Sequence, residues 1–256
     1  MHPIEHLRYV ARATGSDATL LTQEAASALS VFARDPHALL TGAKSLLAKQ
    51  AAIGPVWWMC SQLLIDADPR DAARRVIREL EDDPTPRSLD EALPDGSTVV
   101  ISGWPDLALR ALVDRPDLHV LVIDVDGQGH SAVRRLDRHD VEAEAVDPAR
   151  LAGAVSEADI AVVEVGALGA TAGLADVGGF SLAAVAKASA IPVWLVAGVG
   201  RELPERYWQE IVQRVAEPDL PAYCESFEIV SRSMFGRTFG PGLDCPTLPE
   251  LLRSAR

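Results

Sequence analysis

The first ninety or so residues place apolar side chains at helical spacing. One such pattern covers residues 20–32, behind a potential N-cap at Ser16 or Asp17, and a second covers residues 39–47, behind Pro36. Two further helical segments follow, and no alternation with a period of two residues occurs in this part of the chain. The sequence therefore predicts an all-helical N-terminal domain over residues 1–92.

From about Ser97 the pattern changes to short, β-branched apolar runs, each followed by a turn and a helical stretch. The predicted strands are residues 98–102, 119–124, 142–146, 160–165, 191–197 and, less regularly, 227–230. The helices predicted between them are residues 106–113, 131–137, 148–156, 180–189 and 205–215. Continuous apolar strands that alternate with helices are typical of a parallel sheet covered on both faces. The sequence thus predicts an α/β protein whose residues 93–256 form a Rossmann-like, doubly wound parallel sheet, joined to the helical domain by a linker at residues 83–97.

Composition narrows the classes of function. The 256 residues carry 24 basic and 37 acidic side chains, a formal net charge of −13, which argues against binding to a nucleic-acid backbone. No apolar run reaches the roughly 18 residues that a membrane span needs, and the N-terminus lacks the pattern of a secretion signal. The three cysteines, Cys60, Cys224 and Cys245, form no CxxC motif. We therefore expect a cytoplasmic protein with neither a membrane nor a nucleic acid as partner.

A ligand site is expected beyond the carboxyl ends of the strands, where open α/β sheets bind their ligands. The loops predicted there are rich in glycine, which serves either close approach to a ligand or tight turns. The predicted ligand-binding residues in these loops are Ser102, Gly103, Trp104, Gln128, Gly166, Asp176, Gly178, Gly198, Gly200 and Arg201. Arg201 has two interpretations: its planar fork binds a phosphate or carboxylate, or it forms a surface salt bridge with Glu202 or Glu205.

The sequence leaves the chemistry of this site open. The GxGxxG fingerprint is absent after the first strand, so we expect no dinucleotide cofactor bound in the usual manner, and no other cofactor is indicated. Asp124 and Asp126 could bind a metal ion, but no third carboxylate or histidine lies at a spacing typical of a metal site. We therefore expect no metal site. The candidate catalytic residues are Asp124, Asp126, His130 and Glu164. His130 is either a general base or the first residue of a helix.

Five segments together resemble one family. They are VVISGWPDLALRAL, VLVIDVDGQGHSAVRRL, ADIAVVEVGALG, GLADVGGFSLAAVAKASAIPVWLVAGVGR and a late FEIV. They resemble the alpha, beta and delta subunits of translation initiation factor 2B, whose superfamily includes methylthioribose-1-phosphate isomerase and ribose-1,5-bisphosphate isomerase. The likeness covers roughly residues 20–235, is strongest over residues 159–201, and identifies the chain as a divergent, bacterial-type member. It implies a helical domain before a Rossmann-like domain, and a homodimer formed through the latter.

The motifs that carry the isomerase chemistry in this family differ here. The cysteine expected after the first strand is replaced at Gly103, and the aspartate of a Gly-Ala-Asp motif is replaced by Leu168. The family's Asn-Lys reads Ala175-Asp176, and its Arg-Pro falls at Asp126-Gly127, so acids stand where two phosphate-binding cations are expected. Whether the chain is an enzyme is therefore left undecided by the sequence, and it is a candidate pseudoenzyme.

Three functions remain. The first is a non-catalytic, regulatory binder of a small metabolite, such as a phosphorylated sugar or a nucleotide. The second is an enzyme like the aldose–ketose sugar-phosphate isomerases with a rebuilt site, in which two carboxylates in unlike environments have separated pKa values. The third is a subunit of a protein assembly, whose role is contact rather than chemistry.

Overall fold

The computed structural model describes residues 17–216 and 226–242. It begins with the four predicted helices, α1 (Ala18–Ser30), α2 (Pro36–Leu47), α3 (Gly54–Ile65) and α4 (Pro69–Glu81). The carboxylates of Asp17, Asp35 and Asp68 accept backbone N–H groups at the starts of α1, α2 and α4. The predicted linker is not irregular throughout, because it contains the short helix α5 (Thr85–Asp90).

The described residues of the α/β part form eight strands and five α-helices. The strands are β1 (Thr98–Ser102), β2 (His119–Ile123), β3 (Glu142–Val146), β4 (Ile160–Leu168), β5 (Ala172–Asp176), β6 (Val193–Val196), β7 (Phe227–Ser231) and β8 (Arg237–Phe239). The helices are α6 (Asp106–Leu112), α7 (Gly129–Asp137), α8 (Leu151–Glu157), α9 (Gly179–Ala188) and α10 (Glu205–Val215).

Six of these strands form a parallel sheet. Their order is β3-β2-β1-β4-β6-β8, and every neighbouring pair is parallel. The side chains alternate between two apolar layers: Val99 and Ile101 face one layer with α6 and α7, while Val100 faces the other with α8 and α9. Helices therefore cover both faces, and the predicted α/β fold with a mostly parallel sheet is confirmed.

The structure corrects the prediction at β4 and β7. Strand β4 does not end at Val165 but continues to Leu168 and pairs antiparallel with β5, where a loop was predicted. β7 matches the run predicted at 227–230, but it pairs antiparallel with β5, and the outer parallel position is taken by β8. Alanine and glycine are poor strand formers, so the sequence of β5, AGLAD, gives no strand signal, and tertiary pairing decides its conformation.

The apolar core of the N-terminal helices is completed by the α/β part. Leu29, Leu46 and Trp57 pack in one buried cluster with Tyr207 and Ile211 of α10. The last helix, α5, instead packs on the sheet through Leu89. The domain boundary between residues 92 and 93 stays a prediction. Buried clusters join residues from both sides of it, since α10 packs with the N-terminal helices and α5 packs with the sheet.

Cys60 is buried in α3, whereas Cys224 and Cys245 lie outside the described residues. Within residues 17–216 and 226–242, no helix is both long enough and apolar enough to cross a membrane.

Candidate functional site

A cavity of about 650 Å³ lies where the carboxyl ends of β1 and β4 meet the N-terminal helices. One wall is the loop from Ser102 to Asp106 together with the start of α1, and another is the segment 48–53 that follows α2. Because parallel strands bring their following loops to one edge, residues far apart in the chain converge here.

Seven of the ten predicted ligand-binding residues line this cavity. They are Ser102, Gly103, Trp104, Gln128, Gly166, Asp176 and Arg201, and the candidate catalytic residue Glu164 lies with them. Gly166 lies in β4 and not in a loop, and a side chain there would meet the carbonyl oxygen of Ala52. This close approach brings the turn at residues 48–53, between α2 and α3, against the sheet.

Arg201 lies at the buried base of the cavity, and its side chain is only 3% exposed. Nη1 donates to Glu164 Oε1 at 2.6 Å and to the carbonyl oxygen of Val165 at 2.9 Å. Nη2 lies 3.4 Å from both carboxylate oxygens of Asp106. The alternative interpretation of Arg201 as a surface salt bridge with Glu202 or Glu205 is wrong, because the guanidinium is buried against other acids and Glu202 pairs with Arg232.

Glu164 is held from two sides. Its Oε2 accepts the backbone N–H groups of Leu107 and Ala108 at 2.9 and 3.0 Å, in the first turn of α6. Complete burial raises the pKa of Glu164 well above its ordinary value; Arg201 opposes this rise, and the neighbouring charge of Asp106 adds to it.

The pKa of Asp106 is shifted in the opposite direction, below its ordinary value. Burial has the largest single effect and raises its pKa, but the charge of Arg201 and the hydrogen bonds to the carboxyl together outweigh it. The hydrogen bonds with Glu164 and Asp17 act in the same direction as Arg201, and the pKa of Asp106 falls to about 2. The two neighbouring carboxyls thus have separated pKa values, in the arrangement that acid–base sites use.

Asp17 extends this cluster into the cavity. Its Oδ1 accepts Thr19 N at 2.8 Å and Leu20 N at 3.1 Å, so the carboxyl is fixed as the cap of α1. Burial and the charge of Asp106 raise the pKa of Asp17. The sequence marked Asp17 only as a cap, because nothing in the pattern brings α1 to the end of β1.

We call Asp17, Asp106 and Glu164 the carboxyl row. It runs from the partly exposed Asp17 inward to the fully buried Glu164, and one guanidinium, that of Arg201, faces its inner end. Of these four residues, sequence reasoning selected Glu164 and Arg201.

Two further features mark the wall of the cavity. The Ser102 hydroxyl is withdrawn from solvent and has no hydrogen-bond partner among the described residues. Lys49 and Arg214 supply positive charge to the lining, and Arg214 lies over the Trp57 ring and pairs with Glu210 at 2.7 Å. The cavity therefore has an acidic wall, formed by the carboxyl row, and two further basic side chains, Lys49 and Arg214, elsewhere in its lining.

The remaining predicted residues lie elsewhere. His130 Nδ1 is 2.7 Å from Asp124 Oδ2, but the imidazole is 67% exposed and neither residue lines the cavity. Asp126 lies in a short turn, and its side chain is outside the part of the chain that the structure describes.

Three predicted glycines serve packing or turns. A side chain at Gly198 would meet Asp83 and Leu107, and one at Gly200 would meet the Trp58 ring. Gly178 has a φ of 92° at the start of α9, a conformation that favours glycine. Among the described residues, no group of three or more His, Cys, Asp or Glu side chains is arranged to hold a metal ion.

Comparison with known proteins gives a likeness in structure alone. No protein-family model and no curated protein matches the sequence. Translation initiation factor eIF-2B of Pyrococcus horikoshii OT3 superposes with a TM-score of 0.77 at 14% identity, over 93% of this chain and 94% of that one. The eIF2B beta subunit of Chaetomium thermophilum gives a TM-score of 0.68 at 14% identity, over 93% and 83%.

A third similar structure is the tetrameric eIF2B-beta2-delta2 complex of C. thermophilum. Its TM-score is 0.71 at 12% identity, over 93% of this chain and 88% of that chain. The likeness extends over both the helical part and the sheet, as the resemblance of the sequence implied. The chain has the fold of the translation initiation factor 2B subunits.

Proposed function

We propose that the chain is a non-catalytic, regulatory protein that binds a small phosphorylated metabolite, a sugar phosphate or a nucleotide, in the cavity at the ends of β1 and β4. The observation that carries the proposal is the cavity itself. Its volume of about 650 Å³ falls within the range of roughly 300–1,000 Å³ that small-molecule sites occupy. It also lies where this class of sheet binds ligands.

The lining supports a ligand with both an anionic and a hydroxyl-bearing part. We propose that the positive charges of Lys49 and Arg214 attract the anionic group of the ligand. The Ser102 hydroxyl and the carboxyl row are suited to form hydrogen bonds with hydroxyl groups of the ligand. Arg201 is already neutralised by Glu164 and Asp106, so we propose that it supports the wall and does not bind the anion.

Two positions argue for a role other than that of the family's isomerases. Gly103 has no side chain where those enzymes carry a cysteine, and Leu168 is fully buried where they carry an aspartate. A leucine in the core cannot exchange a proton with a ligand.

Thermal unfolding of the chain with pentose phosphates, nucleoside monophosphates and their unphosphorylated parents tests the proposal. A ligand at a hundred times its dissociation constant adds about 2.7 kcal/mol to the stability of the folded state, which corresponds to a shift of about 5–10 °C. A shift with a phosphorylated compound and none with its parent is expected. Absence of a shift with every compound contradicts the proposal.

A second candidate function is an enzyme with a rebuilt site, and the carboxyl row favours it. The pKa of Glu164 is raised and that of Asp106 is lowered, as an acid–base pair requires. Turnover of a sugar phosphate that is lost in Glu164→Gln, with binding retained, would replace the first proposal with this one.

Self-association is the third element of the proposal. The C. thermophilum protein to which the chain is similar is a tetrameric complex. In this chain Phe180 is 45% exposed and Ile229 is 50% exposed, and α9 and β7, which carry them, are joined by a hydrogen bond from Phe180 N to Glu228. We propose that the chain forms a homodimer that covers these side chains, and that it acts in the cytoplasm. Sedimentation equilibrium of the wild type against Ile229→Lys tests the dimer.

A further inference from the structure

The lining of the cavity differs between its two ends. The end beyond β1 and β2 is mostly apolar, and it is lined by Trp104, Pro105, Val125 and Val177. The loops after β1 and β2 meet the start of α9 here, since a carbon added at Gly178 would lie 2.7 Å from a methyl group of Val125 and from the Ser102 hydroxyl. A surface of this kind is suited to an apolar part of a ligand.

The opposite end of the cavity is basic. It lies where the turn at residues 48–53 contacts the antiparallel extension of β4, and Lys49 belongs to that turn. The Arg214 guanidinium lies 4.9 Å from the centre of the Trp57 ring. Trp57 in turn fixes the turn, because its Nε1 donates to the carbonyl oxygen of Ala51 at 2.9 Å. The two positive charges are therefore held together at this end.

The carboxyl row lies between the two ends. Glu164 is the last residue of β4 that pairs in the parallel sheet, and it is hydrogen-bonded to the first turn of α6, which follows β1. Since the strands stand in the order β2-β1-β4, the edge of the sheet presents three surfaces in succession. They are an apolar surface, then carboxyl groups that form hydrogen bonds, and then positive charge.

This succession matches the order of groups in one of the two classes of ligand proposed above. A nucleoside monophosphate consists of a flat base, a ribose with hydroxyl groups and a phosphate, in that order. A pentose phosphate carries hydroxyl or phosphate groups along its whole length. Its hydroxyls would lose hydrogen bonds to water at the apolar end without gaining partners there, which is unfavourable.

Trp104 is the side chain at the apolar end that is best suited to a base. Its ring is half-buried and packs on the cluster that α6 and α7 form with the sheet. The Arg135 guanidinium lies over the ring, 5.6 Å from its centre, and holds it in place. Phe227, the other aromatic side chain in the described lining, packs instead against the core of the N-terminal helices. Aromatic rings bind bases of any kind by stacking.

We propose that the cavity takes a nucleoside monophosphate, whose base stacks on Trp104 at the apolar end. This inference rests on the proposed function and narrows it from two classes of ligand to one. Gln128 lies at the same end with an exposed amide, which can donate to and accept from the edge of the base. The ribose then faces the carboxyl row, and the phosphate faces Lys49 and Arg214.

Calorimetric titration with adenosine 5′-monophosphate and ribose 5-phosphate tests the proposal. The nucleotide is expected to bind the wild type more tightly than the sugar phosphate. In Trp104→Leu the affinity for the nucleotide should fall on the order of tenfold or more, as the loss of a stacking side chain causes. The affinity for the sugar phosphate should change much less, because it does not reach Trp104.

Trp194→Leu is the matched control. Trp194 is also half-buried, and the Arg237 guanidinium lies over its ring at 5.5 Å, but it does not line the cavity. The substitution removes the same kind of contact from the fold, so both affinities should stay at their wild-type values. Equal weakening of both ligands in Trp104→Leu would show that Trp104 only supports the wall, and would overturn the inference.

Tryptophan fluorescence locates the base independently. Of the five tryptophans, all within the described residues, Trp104 is the one that lines the cavity. A base stacked on its ring should quench its emission. Trp104→Phe keeps an aromatic face, so it should bind the nucleotide nearly as tightly as the wild type, but without that quenching. Unchanged quenching in Trp104→Phe would place the base elsewhere and overturn the inference.

Failure of the inference and failure of the proposed function give different results. If the wild type binds ribose 5-phosphate as tightly as the nucleotide, or more tightly, the inference fails and the proposed function stands. If neither compound binds, the proposed function fails and the inference fails with it.

Discussion

At the scale of single residues, the position of Arg201 is the most informative. The sequence placed it at a strand end beside glycines, which selects it as a site residue but leaves its partners unknown. Glu164 and Asp106 are 37 and 95 residues away in the chain. No spacing rule links such positions, so only the folded sheet shows that the guanidinium is already neutralised.

Replacing Arg201 by alanine is expected to destabilise the fold by about 3–5 kcal/mol. The change leaves the buried carboxylates without their compensating charge, which costs more than the loss of one contact. Urea unfolding of the variant measures this loss. The exposed pair of Arg87 and Glu91 provides the comparison, because Arg87→Ala should cost at most about 0.5 kcal/mol. Equal losses of stability in Arg201→Ala and Arg87→Ala would show that Arg201 does not compensate the charge of the buried carboxylates.

Asp17→Asn is expected to stabilise the folded chain at neutral pH and to have little effect in acid. The folded state raises the pKa of Asp17 through burial and the neighbouring Asp106, so the ionised form is disfavoured only in the folded protein. This destabilisation of the folded state is absent at pH values below the pKa that Asp17 has in the unfolded chain. It grows as the pH rises from there through the pKa that Asp17 has in the folded chain. The free energy of unfolding of both chains, measured by urea between pH 4 and 8, provides the check. A constant difference would contradict a raised pKa.

At the scale of elements, the sequence predicted the N-terminal helices and five strands well but missed the antiparallel extension. Caps, prolines and helical spacing are local signals, and they located α1, α2 and α4. In contrast, β5 is built from AGLAD, which becomes a strand only because β4 and β7 flank it. The same contacts place Gly166 in a strand against Ala52, so the cavity wall was not foreseeable from the chain alone.

Gly166→Ala is expected to lower stability by about 1–3 kcal/mol. The added methyl group would lie 2.9 Å from the carbonyl oxygen of Ala52, a contact with backbone that cannot move aside cheaply. Gly153→Ala in α8 is the matched change, because nothing lies within 4 Å of the added carbon and the helix should gain up to about 1 kcal/mol. Thermal unfolding of both variants gives the comparison, and a neutral Gly166→Ala would contradict the close approach.

At the scale of the whole molecule, the family resemblance predicted a helical part before a Rossmann-like sheet, and the structure confirms the fold. The bacterial-type assignment stays a prediction. The sequence did not foresee that the buried cluster of the helices includes Tyr207, Trp208 and Ile211 from α10. A predicted boundary drawn from local patterns cannot reveal a core that two distant segments share.

The shared core predicts one cooperative unfolding transition for the entire chain. Loss of α10 contacts would expose the helical cluster, so neither part is expected to unfold alone. Far-ultraviolet circular dichroism and tryptophan fluorescence should give the same midpoint in urea, since Trp57 and Trp58 report on the helices and Trp194 on the sheet. Two separated transitions would show that the parts are independent.

The strand order also has a consequence for the chain as it is made. β6 receives its outer neighbour only from Arg237–Phe239, about forty residues later, because β7 pairs with β5 and not with β6. A growing chain on the ribosome therefore carries an open parallel edge at Val193–Val196 until nearly all of the described sequence has been synthesised. An unpaired strand edge invites pairing with other chains. Pauses in synthesis shortly before Arg237 should accordingly yield nascent chains that are especially prone to aggregate or to require a chaperone.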